Sequence, residues 1–281
     1  MTDSESTRIA LVLADVDGTL LTSEKVLTAR AKEAVKALAT SGIAFAITSG
    51  RPPRGMAMLM EPLALTTPVA GFNGGAFVHP DLSEIESHPL DPAAAKTALD
   101  LLLDQGLDAW VYTADKWFIR DGNAPHVARE TKTVQFDAEV VPSFTGEHLS
   151  CAVKIVGVSD DLELVAACEA QAQETLGNSA SAVRSQPYYL DVTHPQANKG
   201  AVVATLSKLL NIPRSQIATL GDMPNDVLMF EESGFSIAMG NASDEVRAKA
   251  SAVTDGNEDE GFAKAIEKIV LQQAATKKGS A

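Results

Sequence analysis

Short, β-branched apolar runs alternate with amphipathic helical stretches at both ends of this 281-residue chain, and that rhythm leaves few folds open. The run at 9–14 lacks the polar alternation of a strand with one wet face, so both faces are expected to be covered, as in a parallel sheet. Thr28 is placed to cap a helix that runs to about residue 41, where Gly42 ends it. A second strand follows at 43–48, then a helical stretch opened by proline at 52–63 and a third strand at 69–72. From Asn198 the rhythm resumes, with helices at 199–210, 224–232, 244–250 and 259–272 and strands at 217–220, 236–239 and 252–254. Alternation of this kind predicts an α/β fold whose parallel sheet is covered by helices.

The middle of the chain is organised differently. Asp91-Pro92 opens a helix closed near Gly106, and 109–113 with 117–120 read as paired strands around a turn. Another strand is expected at 153–158, Asp160 is placed to cap a helix ending at Gly177, and 182–185 and 188–192 read as two more strands. We expect an inserted α+β domain over residues 82–190, with 1–81 and 191–281 forming the other domain. The insert holds 7 Lys/Arg against 17 Asp/Glu and so carries most of the net charge of −14. That charge opposes general attraction to nucleic-acid phosphates or to an anionic membrane surface. No run reaches the roughly 20 apolar residues of a membrane span, and residues 1–14, whose apolar run is short, are not expected to act as a signal peptide. The two cysteines, Cys151 and Cys168, have no CxxC spacing, so we expect a cytoplasmic protein with both thiols reduced and packed in the core. The tail at 276–281 is expected to fray.

Ligands of open parallel sheets bind beyond the carboxyl ends of the strands. Four polar clusters fall at such places: Asp15-Val16-Asp17-Gly18-Thr19, Thr48-Ser49-Gly50-Arg51, Asn198-Lys199-Gly200, and Gly221-Asp222-Met223-Pro224-Asn225-Asp226. Asp15 and Asp17 are two apart, which on an extended chain turns both carboxylates the same way, towards a shared metal and a reacting phosphorus; an ordinary Asx turn before Gly18 explains the pair equally well. Asp222, Asn225 and Asp226 have i, i+3, i+4 spacing at a helix start and offer hard oxygen donors suited to Mg²⁺, while either acid alone would serve as an N-terminal cap. Lys199 opposes the dipole at a helix N-terminus, as a residue facing a bound anion would; a solvated lysine is the alternative. Ser49 and Gly50 offer a hydroxyl and a backbone N–H to a phosphate oxygen, unless Ser49 merely caps the next helix. Without a cation, such a set of carboxylates would repel a dianionic phosphate.

Taken together, the clusters resemble the four motifs of the haloacid dehalogenase superfamily, and specifically its Cof-type (subfamily IIB) phosphatases with a C2-type cap inserted between the second and third motifs. Asp15 through Leu20 is similar to the first motif, Ser49-Gly50-Arg51 to the second, Lys199-Gly200 to the third, and Gly221-Asp222 with Asn225-Asp226 to the fourth. Phe72-Asn73-Gly74-Gly75 and Glu260-Gly261-Phe262-Ala263 resemble further Cof-type signatures, and Ser49 stands where many relatives carry Thr. The resemblance implies a Rossmann-like core with residues 82–190 as its cap. It also implies that Asp15 attacks phosphorus to give an aspartyl-phosphate while Asp17 acts as acid and then base. Mg²⁺ would be held by the carboxylates of Asp15 and Asp222 and the backbone carbonyl of Asp17, with Asp226 behind them. Ser49, Gly50, Lys199 and Asn225 would hold the phosphoryl oxygens, with Arg51 and Asn73 as further candidates.

The expected activity is hydrolysis of small phosphate monoesters, and the acidity of the insert adds an expectation of hydroxyl-rich leaving groups such as sugar phosphates. A sugar phosphomutase and a non-catalytic phosphate-ester sensor would keep the same residues; a receiver-like regulator would have little use for Asp17 or a cap. Trp110, Tyr112, Trp117 and Phe118 are expected in the core of the insert, and the five histidines show no metal-type spacing. The expected partner is a small phosphorylated metabolite, neither nucleic acid nor membrane, bound by a monomer or homodimer.

Overall fold

The computed structural model describes residues 8–272, so the fraying expected at 276–281 lies outside the described residues. Six strands, β1 (Leu11–Asp15), β2 (Ala44–Thr48), β3 (Val69–Gly71), β4 (Ile217–Gly221), β5 (Phe235–Ala238) and β6 (Ala252–Val253), pair in parallel in the order β6-β5-β4-β1-β2-β3. The chain first builds outward from β1 to β3, then returns to the other side of β1. Strand order therefore reverses at β1, and a crevice is expected at its carboxyl end. All five β1 residues are buried, as the unbroken apolar run requires. In register, Asp15 lies level with Thr48 of β2, and Ala14 with Leu220 of β4.

Local signals set the flanking helices. The Thr28 hydroxyl accepts the Ala31 N–H and starts the helix Ala29–Thr40, which buries Ala31, Ala34, Val35 and Leu38 along one stripe. Asn198 caps Lys199–Leu210 in the same way, accepting from Ala201 N–H. Residues 52–63 are less regular than expected, with one 3₁₀ turn at Pro53–Met56 followed by a single α-turn, Ala57–Met60. Among the described residues, no helix is long and apolar enough to cross a membrane.

The chain divides into two compact units. Among the described residues, the first takes in 8–49, 58–70 and 198–272; the second takes in 50–57 and 71–197. The second unit contains a separate six-stranded sheet, ordered Ser181–Gln186, Tyr189–Thr193, Lys154–Val158, Asp108–Tyr112, Trp117–Ile119, Glu139–Val140. Its strands pair antiparallel except the last two. Alternation sorts its side chains: Val111, Phe118, Ile155 and Leu190 join the helices Pro92–Asp104 and Leu162–Leu176 in one core, while Trp110, Tyr112 and Trp117 fill another on the opposite face. The four aromatics are thus core, as the sequence predicts.

Two further expectations are corrected. The cap of Leu162–Leu176 is Asp161, which accepts the Leu164 N–H; the Asp160 carboxylate is instead 2.8 Å from His126 Nε2. Cys168 is buried, but Cys151 is exposed because it ends the short helix Gly146–Ser150 at the surface, where its thiol donates to the Glu147 carbonyl. The helix Val127–Val134 and the strands Glu84–Ser87 and Glu139–Val140 were not anticipated; both strands are partly or fully exposed and carry no apolar alternation. Leu13, fully buried in the central strand, should be among the costliest residues to truncate. Leu13→Ala is expected to lower the unfolding free energy in urea by about 2–5 kcal/mol.

Candidate active site

β1 ends on Asp15, which is buried, and the same strand end meets the turn that follows β4. Lys199, the first residue of its helix, is also buried and extends Nζ to 2.5 Å from Asp15 Oδ1 and into contact with Asp226 Oδ1. Asp226 is fully buried, and its other oxygen accepts the backbone N–H groups of Asp222 and Met223, each at 2.8 Å. That carboxyl group lies so close to Gly221 that a Cβ there would overlap it. Asp222 is held at Oδ1 by the Thr19 hydroxyl at 3.0 Å and at Oδ2 by Asn241 Nδ2 at 3.2 Å. Gly18 makes the turn between Asp17 and Thr19 with φ +82°, and a Cβ there would run into the Asp222 carboxylate.

The site therefore gathers residues from four separate parts of the sequence. Asp15, Asp222 and Asp226 each place a carboxylate oxygen within 4.8 Å of the others. The Asp17 side chain is not in this group; it is about one-third exposed and forms a 2.7 Å ion pair with Lys25. Ser49 is buried one residue beyond the end of β2, with its N–H donating to the Ala70 carbonyl, and Asn225 is exposed on the turn after β4. Gly50, Arg51 and Asn73 belong to the second unit. There Gly50 packs beside Asn73, and Arg51 is buried, donates to the Gly55 carbonyl at 3.3 Å and acts electrostatically on Glu130. Thr19, Lys25 and Asn241 were not assigned from the sequence. Asn241 could have been found, since it lies just past the carboxyl end of β5, where the strand-end rule directs attention.

Electrostatics show what the cluster lacks. Burial above all raises the Asp15 carboxyl, Lys199 pulls it down and the neighbouring Asp226 and Asp222 push it up, which together leave it at about 8. Burial and Asp226 likewise raise Asp222 to about 6. Burial alone would lower Lys199, but Asp15 and Asp226 hold it above its ordinary value. Three buried carboxylates facing one buried ammonium leave the site short of positive charge, and all three offer hard oxygens, so the donor set fits a divalent cation. Asp226 accepts three hydrogen bonds, one from the Lys199 ammonium and two from backbone N–H groups, whereas each Asp222 oxygen accepts one, so Asp15 and Asp222 are the side chains better suited to direct ligation.

The sign of the pH effect follows. Without a cation, the folded protein retains protons on Asp15 and Asp222 that the unfolded chain has released above about pH 4. Stability should therefore fall as pH rises through about 6 and on to about 8, and added Mg²⁺ as probe ion should flatten the decline. Scanning calorimetry between pH 5 and 8 checks this; a flat metal-free melting temperature over that range would contradict it.

Comparison with known proteins agrees with this geometry. The family model for haloacid dehalogenase-like hydrolases matches residues 12–266. A 5-amino-6-(5-phospho-D-ribitylamino)uracil phosphatase of Bacillus subtilis is 28% identical, with 94% of this chain and 99% of that protein aligned. A pyridoxal phosphate phosphatase of Escherichia coli is 25% identical over 91% of this chain and 97% of its own. A solved haloacid dehalogenase-like hydrolase from Bacteroides thetaiotaomicron superposes with a TM-score of 0.86 at 24% identity, covering 93% of this chain and all of that one. The chain belongs to the haloacid dehalogenase-like hydrolases.

Proposed function

We propose that this chain is a Mg²⁺-dependent phosphatase that hydrolyses hydroxyl-rich phosphate monoesters, sugar phosphates among them, through a phosphorylated Asp15. The observation that carries the reading is the buried contact between Asp15 and Lys199 with Asp222 alongside: a carboxylate nucleophile, an ammonium for the phosphoryl oxygens, and a second carboxylate to share a cation. The carboxylates of Asp15 and Asp222 and the backbone carbonyl of Asp17 would hold Mg²⁺, whose charge offsets that of the phosphate dianion.

In the first half-reaction an Asp15 oxygen bonds to phosphorus as the bond to the leaving oxygen breaks, and Asp17 gives that oxygen its proton. In the second, Asp17 takes a proton from water as the water attacks phosphorus, releasing inorganic phosphate and restoring the Asp15 carboxylate. The partial exposure of Asp17 supports this role, since its proton must reach both an alcohol and water. Lys199, Ser49, the Gly50 N–H and Asn225 steady the phosphoryl oxygens. Residues 82–190 serve as the cap that keeps bulk water out during transfer. The two named relatives act on single phosphate monoesters, which supports a small monoester substrate, and the acidity of residues 82–190 favours uncharged, hydroxylated leaving groups.

Phosphate release from an aryl phosphate, a set of sugar phosphates, pyridoxal phosphate and ATP, with and without Mg²⁺, tests the reading. Turnover should require Mg²⁺ and vanish in Asp15→Asn. Asp17→Asn should lose about 10²–10⁴-fold on sugar phosphates and less on the aryl phosphate, whose leaving group needs little help from an acid. Turnover surviving in Asp15→Asn would overturn the covalent route, and faster turnover of ATP than of any sugar phosphate would overturn the leaving-group assignment.

A further inference from the structure

The segment 241–260 grips the loop that follows β1, and the activity proposed above leaves that grip without a purpose. Asn241 Nδ2 donates to the Gly18 carbonyl at 3.0 Å as well as to Asp222 Oδ2, while its own Oδ1 accepts the Asn257 N–H at 3.1 Å. Asn257 Nδ2 donates to the Leu21 carbonyl at 3.1 Å, Glu258 Oε1 accepts the Ser23 N–H at 2.6 Å, and Glu260 Oε2 accepts the Thr28 hydroxyl at 2.8 Å. Four side chains thus meet the loop at successive points from Gly18 to Thr28. The turn that presents them is tightly specified: Glu260 has φ +59°, and a Cβ on Gly261 would overlap the Asp255 carbonyl. The Glu260-Gly261 signature marks this turn, and its position explains the presence of those residues.

We propose that Asn241 is a positioning residue for the cation site, an inference that rests on the assignment of Asp222 and the Asp17 carbonyl to that cation. A carboxylate that is to ligate must be kept from rotating about its terminal bond. For Asp222 this is done at both oxygens, by Thr19 on Oδ1 and Asn241 on Oδ2, leaving further lone pairs on each oxygen for a metal. The same Asn241 amide group fixes the carbonyl of Gly18, the residue after Asp17. One side chain therefore ties a proposed ligand, Asp222, to the residue that directly follows another, Asp17, and Asn257 in turn holds that side chain. Partners of this kind orient the groups that touch the metal, and their loss typically weakens metal binding by about 10–100-fold.

Calorimetric titration of Mg²⁺ into the metal-free full-length protein tests this without recourse to turnover, with circular dichroism as a check on folding. Asn241→Ala is expected to weaken Mg²⁺ binding by about 10–100-fold, and activity lost at low Mg²⁺ should return as Mg²⁺ is raised. Asn241→Ser, which keeps a small polar side chain unable to span both acceptors, should show the same loss and provides the measurement if the alanine variant does not fold. Binding within twofold of wild type in a folded variant would overturn the proposal, even if the melting temperature drops. Asp222→Asn separates the two levels of the argument. If Asp222→Asn loses Mg²⁺ binding and Asn241→Ala keeps it, the positioning role alone is wrong; if Asp222→Asn binds Mg²⁺ like wild type, the cation assignment beneath it fails as well.

Discussion

The Lys199 ammonium, buried between Asp15 and Asp226, joins parts of the chain 184 and 27 residues apart. Removing three such charges from water is costly, and an isolated pair in such a place adds little to stability. Every further feature of the site helps to hold that arrangement. Asp226 is braced by two backbone N–H groups, Asp222 by Thr19 and Asn241, and Gly18 and Gly221 leave room for carboxylates that a Cβ would displace. Even so, Asp15 and Asp222 remain harder to ionise than ordinary carboxyls, so the site keeps an unmet demand for positive charge.

The sheet makes this concentration of charge possible. Because β1 is central and the chain returns to its far side, the carboxyl ends of β1 and β4 and the start of Lys199–Leu210 arrive together. Apolar residues buried along β1 and β4 supply the stability that the charged end does not. The division of labour is spatial: the bodies of the strands fold the unit and their ends carry the chemistry.

Legibility followed the range of the forces involved. Lys199–Leu210 matched its expected bounds because an Asn cap and a regular apolar stripe lie within one stretch of sequence. The cap of Leu162–Leu176 was misplaced by one residue, since adjacent aspartates look alike until His126 engages one of them. Cys151 was expected inside on the strength of residue type, but its place at a helix end put it outside. Strands such as Glu139–Val140 had no pattern to read, because an exposed edge needs no apolar alternation. Lys25 escaped notice because it gains meaning only from Asp17 across a turn, while Asn241, though its place past a strand end was legible, shows its role only through Gly18 and Asp222, 223 and 19 residues away.

By itself the sequence determined the α/β class, the alternating elements and the identity of the acidic clusters, because periodicity, caps and short motifs act over a few residues and need no partner. Only the tertiary structure decided which carboxylates share one buried space, that Asp17 turns to Lys25 instead of joining them, and that Asn241 ties Gly18 to Asp222. Burial, charge coupling and hydrogen bonding across some 200 residues depend on distances in space, and the order of strands in the sheet fixes those distances.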